Sequence, residues 1–260
     1  MKELLKKVPL AQPAYHAARE VLALPKMYAD FRSFKKRLTA ASDGSPSGFE
    51  MKWGDRWLCL NDQQRSIQFE PHYVYHPAWA ARVLAKTQPE RHVDIGSTLG
   101  FVTMISAFVK TDYFEWRPPN LQLSDLHCAH ANLLALPFDT ASIRSLSCMH
   151  TVEHVGLGRY GDPVDVQGDL KAINELKRVL APDGNLLFVV PIGGQAKILF
   201  NAQRTYSYEL VMDAFLDLEL VEFSLILEDA SGMVYDDDAR IQVKRQEQGC
   251  GCFWFKKPVS

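Results

Sequence analysis

Residues at the ends of three consecutive apolar segments have the types and spacing of a nucleoside-binding cleft. The segment VDIGSTLGF places Gly96 and Gly100 in a turn after an apolar run, and such a turn lets a ligand approach backbone amides. Glu115 follows the next apolar run, where a carboxylate can accept hydrogen bonds from both hydroxyls of a ribose. Asn132 follows the third, where a side-chain amide can pair with an adenine edge. Together these residues predict a cleft for a nucleoside.

The sequence HTVEH contains a second group that can do chemistry. His150, Glu153 and His154 match the pattern H-x-x-E-H, in which two histidines of one helix bind zinc and the glutamate acts as a base. A zinc site needs a third protein ligand, and the sequence offers no obvious one, so we expect no metal. Histidine titrates near neutral pH, so His154 is the candidate general base, oriented by Glu153 or Asp162. A core or helix-capping histidine is the structural alternative.

Alternating strands and helices are expected to position these residues. A helix is predicted to begin at Pro77, in the favoured first-turn position for proline. Further helices are predicted at residues 101–109, 170–180 and 208–215, and strands at 92–95, 113–116, 127–133, 145–149, 186–190, 220–227 and 252–255. This alternation is typical of an α/β fold with a parallel sheet between helices, whose ligands bind beyond the carboxyl ends of the strands.

The composition is that of a globular protein. Of the 260 residues, 47% are hydrophobic and 23% are charged, which excludes a wholly disordered chain, a fibrous protein and a disulfide scaffold. No apolar run approaches the ~20 residues of a membrane-spanning helix. Five cysteines without secretory context predict reduced thiols in a cytoplasmic protein, with Cys250 and Cys252 on one face of a late strand.

Residues 1–48 are predicted to form a basic helical arm followed by a linker at 39–48. Residues 1–40 contain nine basic and three acidic residues, an asymmetry that suggests contact with an anionic surface. Helical spacing places Met27, Phe31, Phe34 and Leu38 in one apolar stripe. We expect residues 1–38 to contact a membrane surface or a partner protein; packing of the stripe within the protein or on a second subunit is the alternative. Prolines 9, 13 and 25 are expected to divide the arm into short pieces.

Residues 49–260 are predicted to form the main domain, with its core at 90–227. A small hairpin is expected at 49–60, because short apolar runs flank Gly54 and Asp55. Three consecutive acids, Asp236, Asp237 and Asp238, are interpreted as a solvated turn between the last strands rather than as a Mg²⁺ site.

The core sequence resembles the class I S-adenosylmethionine-dependent methyltransferases. The resemblance spans about residues 90–227 and depends on VDIGSTLGF, LPFDTASI before a strand, HTVEHV after it, and ELKRVLAPDG before the next. More narrowly, MHTVEHVGLGRYGDP followed by NAQRTYSYE resembles a bacterial family of unknown function whose members accompany surface-polysaccharide biosynthesis. The resemblance implies a Rossmann-like, seven-stranded, mostly parallel sheet with one antiparallel strand, and S-adenosyl-L-methionine as the cofactor.

The resemblance assigns a cofactor site by position. The residues assigned to it are Asp94, Gly96, Ser97, Gly100, Glu115, Trp116, Asn132, Leu133 and His150. One position departs from the family's Gly-x-Gly-x-Gly pattern, because Thr98 stands where the middle glycine is usual. A β-branched side chain there is expected to push the methionine part of the cofactor away or to disfavour the turn.

A glycine-rich loop and a later segment are assigned to the substrate. Arg159 and Tyr160 lie in GLGRYGD, and Arg204 and Tyr206 follow the fifth predicted strand. Arginine and tyrosine side chains can hold a saccharide or its phosphate by directed hydrogen bonds.

The resemblance therefore implies O-methylation of a saccharide or lipid-linked glycan in bacterial surface-polysaccharide (O-antigen or capsule) biosynthesis, in the cytoplasm or at the inner membrane. A catalytically degenerate scaffold in a glycan-assembly complex is the alternative, favoured by Thr98 and the basic arm. A nicotinamide oxidoreductase would need a second mononucleotide-binding half, which the pattern lacks. Nucleic acid is not expected as a partner, because basic residues cluster in the arm and the rest of the chain is acidic overall.

Overall fold

The computed structural model describes residues 11–41, 49–57, 59 and 69–259. The chain divides into two compact units, Met1–Gln68 and Phe69–Ser260. The boundary between them follows residue 68, whereas the sequence predicted one after residue 48. Most of the predicted linker, residues 42–48, lies outside the described residues. None of the helices in the described part of the chain is long and apolar enough to cross a membrane.

The described part of the first unit contains one long helix, α1 (Ala11–Ala41), and a short 3₁₀ turn (Trp53–Asp55). The expectation that Pro25 divides the arm was wrong, because the helix continues through it; a proline removes one backbone hydrogen bond and the turns on either side keep theirs. Tyr28 and Phe31 contact the Trp53 ring edge-on, at centroid distances of 5.0 and 5.2 Å. Part of the apolar stripe is therefore covered within its own unit, while Phe34 is 59% exposed.

The predicted hairpin is not seen in the described part of residues 49–60. Residues 49–57 contain the 3₁₀ turn and no strand. Leu58 and Leu60, which the prediction placed in the second strand, lie outside the described residues.

The second unit is built on a mixed sheet of eight strands. Its strands are β1 (Arg91–Ile95), β2 (Lys110–Glu115), β3 (Leu126–His130), β4 (Ile143–Met149), β5 (Leu180–Ile192), β8 (Glu219–Ile226), β9 (Met233–Tyr235) and β10 (Gly249–Lys256). The spatial order is β3-β2-β1-β4-β5-β10-β8-β9. Strands β1 to β5 are parallel, and β10 pairs antiparallel with both β5 and β8. The α/β, Rossmann-like prediction is confirmed.

Three short strands were not predicted. The eighth strand of the sheet, β9, pairs only with β8 and adds an antiparallel edge, so the prediction of seven strands was wrong by one. A separate two-stranded ribbon joins β6 (Lys197–Leu199) to β7 (Gln203–Thr205). Each of these strands has three residues, too few for a period-2 pattern to be recognised.

Five helices accompany the sheet: α2 (Pro71–Thr87), α3 (Leu99–Ile105), α4 (Gly168–Val179), α5 (Tyr208–Ala214) and α6 (Asp236–Val243). The predicted start of α2 was wrong, because Pro71 takes the first-turn position and Pro77 lies inside the helix. The three acids at 236–238 form the first turn of α6 rather than a solvated turn. Carboxylates there stabilise the positive end of the helix dipole.

The core covers both faces of the sheet. Along β5, Phe188 and Val190 belong to the cluster that also contains Leu176 of α4, whereas Leu187 and Val189 belong to the cluster with Trp79 of α2. This alternation follows from the period-2 geometry of a strand buried on both sides.

Cys250 and Cys252 are both fully buried in the cluster on the α2 side, which confirms that they share one face of the last strand. The carboxyl ends of β1 to β4 are held by this packing and form the site described next.

Candidate functional site

A cavity of about 540 Å³ lies at the carboxyl ends of β1 to β4. Nine of the residues that the sequence predicted as functional line it: Gly96, Glu115, Trp116, Asn132, Leu133, His150, His154, Tyr160 and Asp162. Seven others, Asp94, Ser97, Gly100, Glu153, Arg159, Arg204 and Tyr206, are not among the lining residues. The cavity therefore collects the predicted strand-end residues, and its size is that of a pocket for a small molecule.

The glycine turn after β1 forms one wall. Gly96 has φ of +73°, and a Cβ there would lie 2.7 Å from Cγ2 of Thr151. The Thr151 hydroxyl donates to the Gly96 carbonyl at 3.0 Å, which ties this turn to the one after β4. Only glycine fits this conformation and this approach.

Thr98 does not line the cavity. Its φ is −73°, and its side-chain oxygen accepts a hydrogen bond from the Phe101 amide as the N-cap of α3. The position therefore needs no glycine conformation, and threonine is a common N-cap residue. The sequence predicted that Thr98 would obstruct the cofactor or disfavour the turn, and this geometry shows neither effect.

The buried carboxylate of Asp94 accepts a hydrogen bond from the backbone of the glycine turn. Asp94 is fully buried; Oδ1 accepts from the Ser97 amide at 3.0 Å and Oδ2 accepts from the Ser147 hydroxyl. The chain of polar contacts continues from Ser147 to His92 and from His92 to Ser145, both at 2.8 Å. Burial raises the pKa of Asp94 to about 6, although the serine hydrogen bonds oppose the shift, and burial lowers the pKa of His92 to about 3.

Replacing Asp94 by asparagine is expected to stabilise the protein at pH 8 by roughly 1–3 kcal/mol. A carboxylate whose pKa is raised in the folded state adds stability below its unfolded pKa, near 4, and loses it as the pH rises through 6. The amide avoids the buried charge, and the Ser147 hydroxyl can turn to donate to His92. Denaturant unfolding at pH 4.5 and 8 measures the effect, and a gain that does not shrink at the lower pH would contradict this explanation.

Glu115 stands at the carboxyl end of β2 with its charge facing the cavity. Its oxygens contact the Tyr113 hydroxyl and the Arg117 amide, both at 3.4 Å. These long contacts leave acceptor capacity on both oxygens. Asn132 uses its Oδ1 to accept from the Leu134 amide at 3.0 Å, which leaves its NH₂ group for another partner. The cavity therefore contains two hydrogen-bond acceptors from the Glu115 carboxylate and one donor group, the NH₂ of Asn132.

Glu153 links the two histidines of HTVEH. It is fully buried, and Oε1 lies 2.9 Å from Nδ1 of His150 and 3.8 Å from Nε2 of His154. The three residues belong to a turn rather than to the helix that the zinc pattern requires: Val152–His154 is one 3₁₀ turn, and His150 has φ of +56°. The Nδ1 atom of His154 lies 2.8 Å from the Ala202 carbonyl. If Nδ1 carries the proton of the neutral ring, Nε2 is left as the acceptor.

The glycine-rich loop over the cavity is anchored by Asp162. Its carboxylate accepts from the amides of Gly156, Tyr160 and Gly158 at 2.8, 3.2 and 3.4 Å. Burial opposes the charge, but these donors lower the pKa of Asp162. Asp162 therefore holds the loop, whereas the sequence suggested that it orients His154.

Tyr160 is the aromatic residue of this loop; it is 44% exposed, and two guanidinium groups lie near its ring. Arg117 and Arg159 approach its ring at 5.4 and 5.1 Å, which are cation–π distances. His154 meets the same ring edge-on at 5.7 Å. Arg117 was not predicted as a site residue, because nothing in its spacing separates it from an ordinary residue after a strand.

Arg204 and Tyr206 lie behind the cavity wall rather than in it. Arg204 is buried and donates to the Val155 carbonyl at 2.7 Å, and Nε lies 3.3 Å from Asp169. The Tyr206 hydroxyl donates to Asp169 at 2.9 Å. Arg204 ties the residue before the glycine-rich loop to α4, and Tyr206 ties the segment after β7 to α4, so their predicted substrate contacts have no support in this geometry.

Comparison with known sequences finds one family match. The family model described as "Caenorhabditis protein of unknown function, DUF268" matches residues 120–226, less than half of the chain. No curated protein sequence matches the chain significantly.

Comparison with solved structures finds methyltransferases. The 1,6-didemethyltoxoflavin-N1-methyltransferase of Burkholderia thailandensis, solved with S-adenosylhomocysteine, is 10% identical, with 90% of this chain and 91% of that chain covered and a TM-score of 0.52. The N-methyltransferase NodS of Bradyrhizobium japonicum WM9, also solved with S-adenosylhomocysteine, is 15% identical, with 77% and 94% covered and a TM-score of 0.51. A putative sarcosine dimethylglycine methyltransferase of Galdieria sulphuraria is 15% identical, with 70% and 85% covered and a TM-score of 0.50. At these identities the likeness shows the fold.

Proposed function

We propose that this protein is an S-adenosyl-L-methionine-dependent methyltransferase. The observation that carries the proposal is the convergence of Gly96, Glu115, Asn132 and His150, from four consecutive strand ends, on one cavity. Two of the solved structures that share the fold contain S-adenosylhomocysteine, the product that remains after methyl transfer.

The donor set of the cavity fits the cofactor. Glu115 offers two carboxylate oxygens whose contacts within the protein are both 3.4 Å long, and a ribose diol has two hydroxyls to donate. Asn132 keeps its NH₂ group for the adenine edge. The Gly96 turn brings backbone close to the cavity without a side chain. When bound, the cofactor would supply an electrophilic methyl group on a sulfonium.

His154 is the residue that we assign to proton removal from the acceptor hydroxyl. A hydroxyl is a poor nucleophile until a base takes its proton, and a neutral histidine has one nitrogen free to do so. Glu153, 3.8 Å from Nε2, would favour the positive charge that the ring then acquires. Glu153 is closer to His150, so it acts on His154 through charge rather than through a direct hydrogen bond.

The acceptor is proposed to be a saccharide of a surface polysaccharide. The exposed ring of Tyr160 and the guanidinium groups of Arg117 and Arg159 together offer an apolar face and hydrogen-bond donors, which suit a sugar phosphate. Exposed basic residues of α1, among them Lys35, Lys36 and Arg37, support a contact of residues 1–38 with an anionic membrane or a glycan-assembly partner. The pathway itself rests on the sequence resemblance.

Calorimetric titration of the purified chain with S-adenosylmethionine and S-adenosylhomocysteine tests the proposal, with NADH and NADPH as controls. We expect dissociation constants on the order of micromolar for both sulfur nucleosides and none measurable for the nicotinamides. Incubation with labelled S-adenosylmethionine and nucleotide-linked or lipid-linked sugars then tests the acceptor class.

Two outcomes would contradict parts of the proposal. A folded protein that binds neither sulfur nucleoside would favour the scaffold alternative. If the protein binds the cofactor and transfers methyl groups to a nitrogen or carbon acceptor but to no sugar, it is a methyltransferase whose substrate is not a saccharide.

A further inference from the structure

Three side chains with nitrogen or sulfur donor atoms come together from distant parts of the second unit. His72 lies in the first turn of α2, His150 follows β4, and Cys250 lies in β10. One donor atom from each lies within 4.8 Å of the other two. The residues are far apart in the sequence, so no spacing pattern reveals them.

The separations suit a bound ion. Nε2 of His150 is 3.3 Å from Sγ of Cys250. Two ligands of a tetrahedral zinc ion, with Zn–S near 2.3 Å and Zn–N near 2.0–2.1 Å, are about 3.5 Å apart. The His72 ring lies nearly parallel to the His150 ring, with centroids 5.5 Å apart, and it is only half buried, so a small rotation can bring its nitrogen closer.

Hydrogen bonds to the histidine rings have the pattern found around metal ligands. Glu153 lies 2.9 Å from Nδ1 of His150, and its side chain is 1% exposed. A carboxylate in this position favours a proton on Nδ1, so Nε2, which faces Cys250, is the nitrogen that would bind the ion. Metal-binding histidines are usually oriented by such a carboxylate or carbonyl.

A buried atom without a partner lies beside the group. His76 is fully buried, and its Nδ1 is 2.6 Å from the His72 carbonyl. Its Nε2 has no hydrogen-bond partner among the described residues. The His76 ring meets the His150 ring edge-on at a centroid distance of 5.0 Å. A buried nitrogen without a hydrogen-bond partner destabilises the folded protein, so a ligand or ordered water near this group would have a physical reason to bind.

We propose that His72, His150 and Cys250 bind one divalent transition-metal ion of the zinc type. Imidazole and thiolate donors select such ions over Mg²⁺ and Ca²⁺, which prefer oxygen. On binding, a sulfur–metal bond replaces the S–H bond of Cys250, and the thiol proton goes to solvent. Three protein ligands leave a fourth position open to water or substrate, as in catalytic zinc sites. His150 also lines the cavity, whereas His72 and Cys250 do not, so the ion would lie beside the cavity.

Metal uptake by the full chain tests the proposal without any assay of methyl transfer. The protein is stripped with a chelator, titrated with Zn²⁺ while bound metal is quantified by mass spectrometry, and titrated in parallel with Co²⁺. We expect one ion per chain, and a thiolate-to-cobalt charge-transfer band in the near ultraviolet, which reports a sulfur ligand. Uptake of less than one ion, or a cobalt complex without that band, would overturn the proposal.

Matched variants assign the ligands. Cys250→Ser should lose the charge-transfer band, whereas Cys252→Ser, two residues away on the same buried face, should keep it. His72 is only half buried, so His72→Ala should disturb folding less than a substitution in the core. This variant should also fail to bind one metal ion per chain. Glu153→Gln should weaken affinity by ~10–100-fold, the range for an orienting partner. Circular dichroism verifies that each variant is folded, and unchanged uptake by both His72→Ala and Cys250→Ser would refute the assignment.

Discussion

Replacing Glu115 by alanine is expected to weaken binding of S-adenosylhomocysteine at least 100-fold while the protein stays folded. A hydrogen bond to a charged group contributes ~1.5–3 kcal/mol, and the carboxylate at the end of β2 has room for two from a ribose. The substitution should reduce the stability of the folded protein only slightly, because the two contacts of Glu115 within the protein are both 3.4 Å long. Isothermal titration calorimetry measures the affinity, and thermal unfolding measures the stability.

Two further variants serve as controls. One removes the charge of residue 115 but keeps the size of its side chain, and the other changes the net charge of the protein at a different position. Glu115→Gln keeps the size of the side chain and should lose at least about tenfold, because the amide can accept only one of the two hydroxyl hydrogen bonds. Glu219→Ala, at an exposed position at the start of β8, removes the same charge far from the cavity and should bind like the wild type. If Glu115→Ala binds as tightly as Glu219→Ala, the cavity does not hold the ribose at this carboxylate.

Replacing Gly156 by alanine is expected to lower the free energy of unfolding by roughly 3–5 kcal/mol. Gly156 has φ of +80°, and a Cβ there would lie 2.1 Å from the carbonyl oxygen of Asp165. The backbone must move to relieve this contact, although the Gly156 amide is held by Asp162 and its carbonyl by the Asp165 amide. Denaturant-induced unfolding at neutral pH measures the loss.

Gly161→Ala is the matched control for this effect. Gly161 has nearly the same φ, +83°, but a Cβ there would meet no atom within 4 Å. Its cost should be about 1–2 kcal/mol, from the left-handed conformation alone. Equal losses in the two variants would mean that strain at positive φ, and not the approach of residue 165 to Gly156, determines the stability of the loop.

The parallel sheet and the cavity could be predicted because each depends on long, repeated patterns. Strand–helix alternation from β1 to α5 indicates a parallel sheet, and the carboxyl ends of such strands meet at one edge. Glu115 and Asn132 were therefore predicted to lie together, and they line the same cavity. Which of the cavity residues act on a substrate stays a prediction.

Other features depend on contacts that no local pattern records. Arg204 and Asp162 occur in segments that suit a site, yet both form hydrogen bonds that hold the loop. The start of α2 was misplaced because Pro71 and Pro77 are both compatible with a first turn, and the helix begins at the earlier of the two. His72 and Cys250 come together through the sheet topology, far apart in sequence.

The position of β10 has a consequence for synthesis of the chain. This strand lies between β5 and β8, with a backbone ladder to each, and it follows both in sequence. Until residue 256 has left the ribosome, the nascent chain therefore has two apolar strands with open edges in the middle of its future sheet. Open edges of this kind pair with other chains, so we expect truncated or stalled products to aggregate and to depend on chaperones.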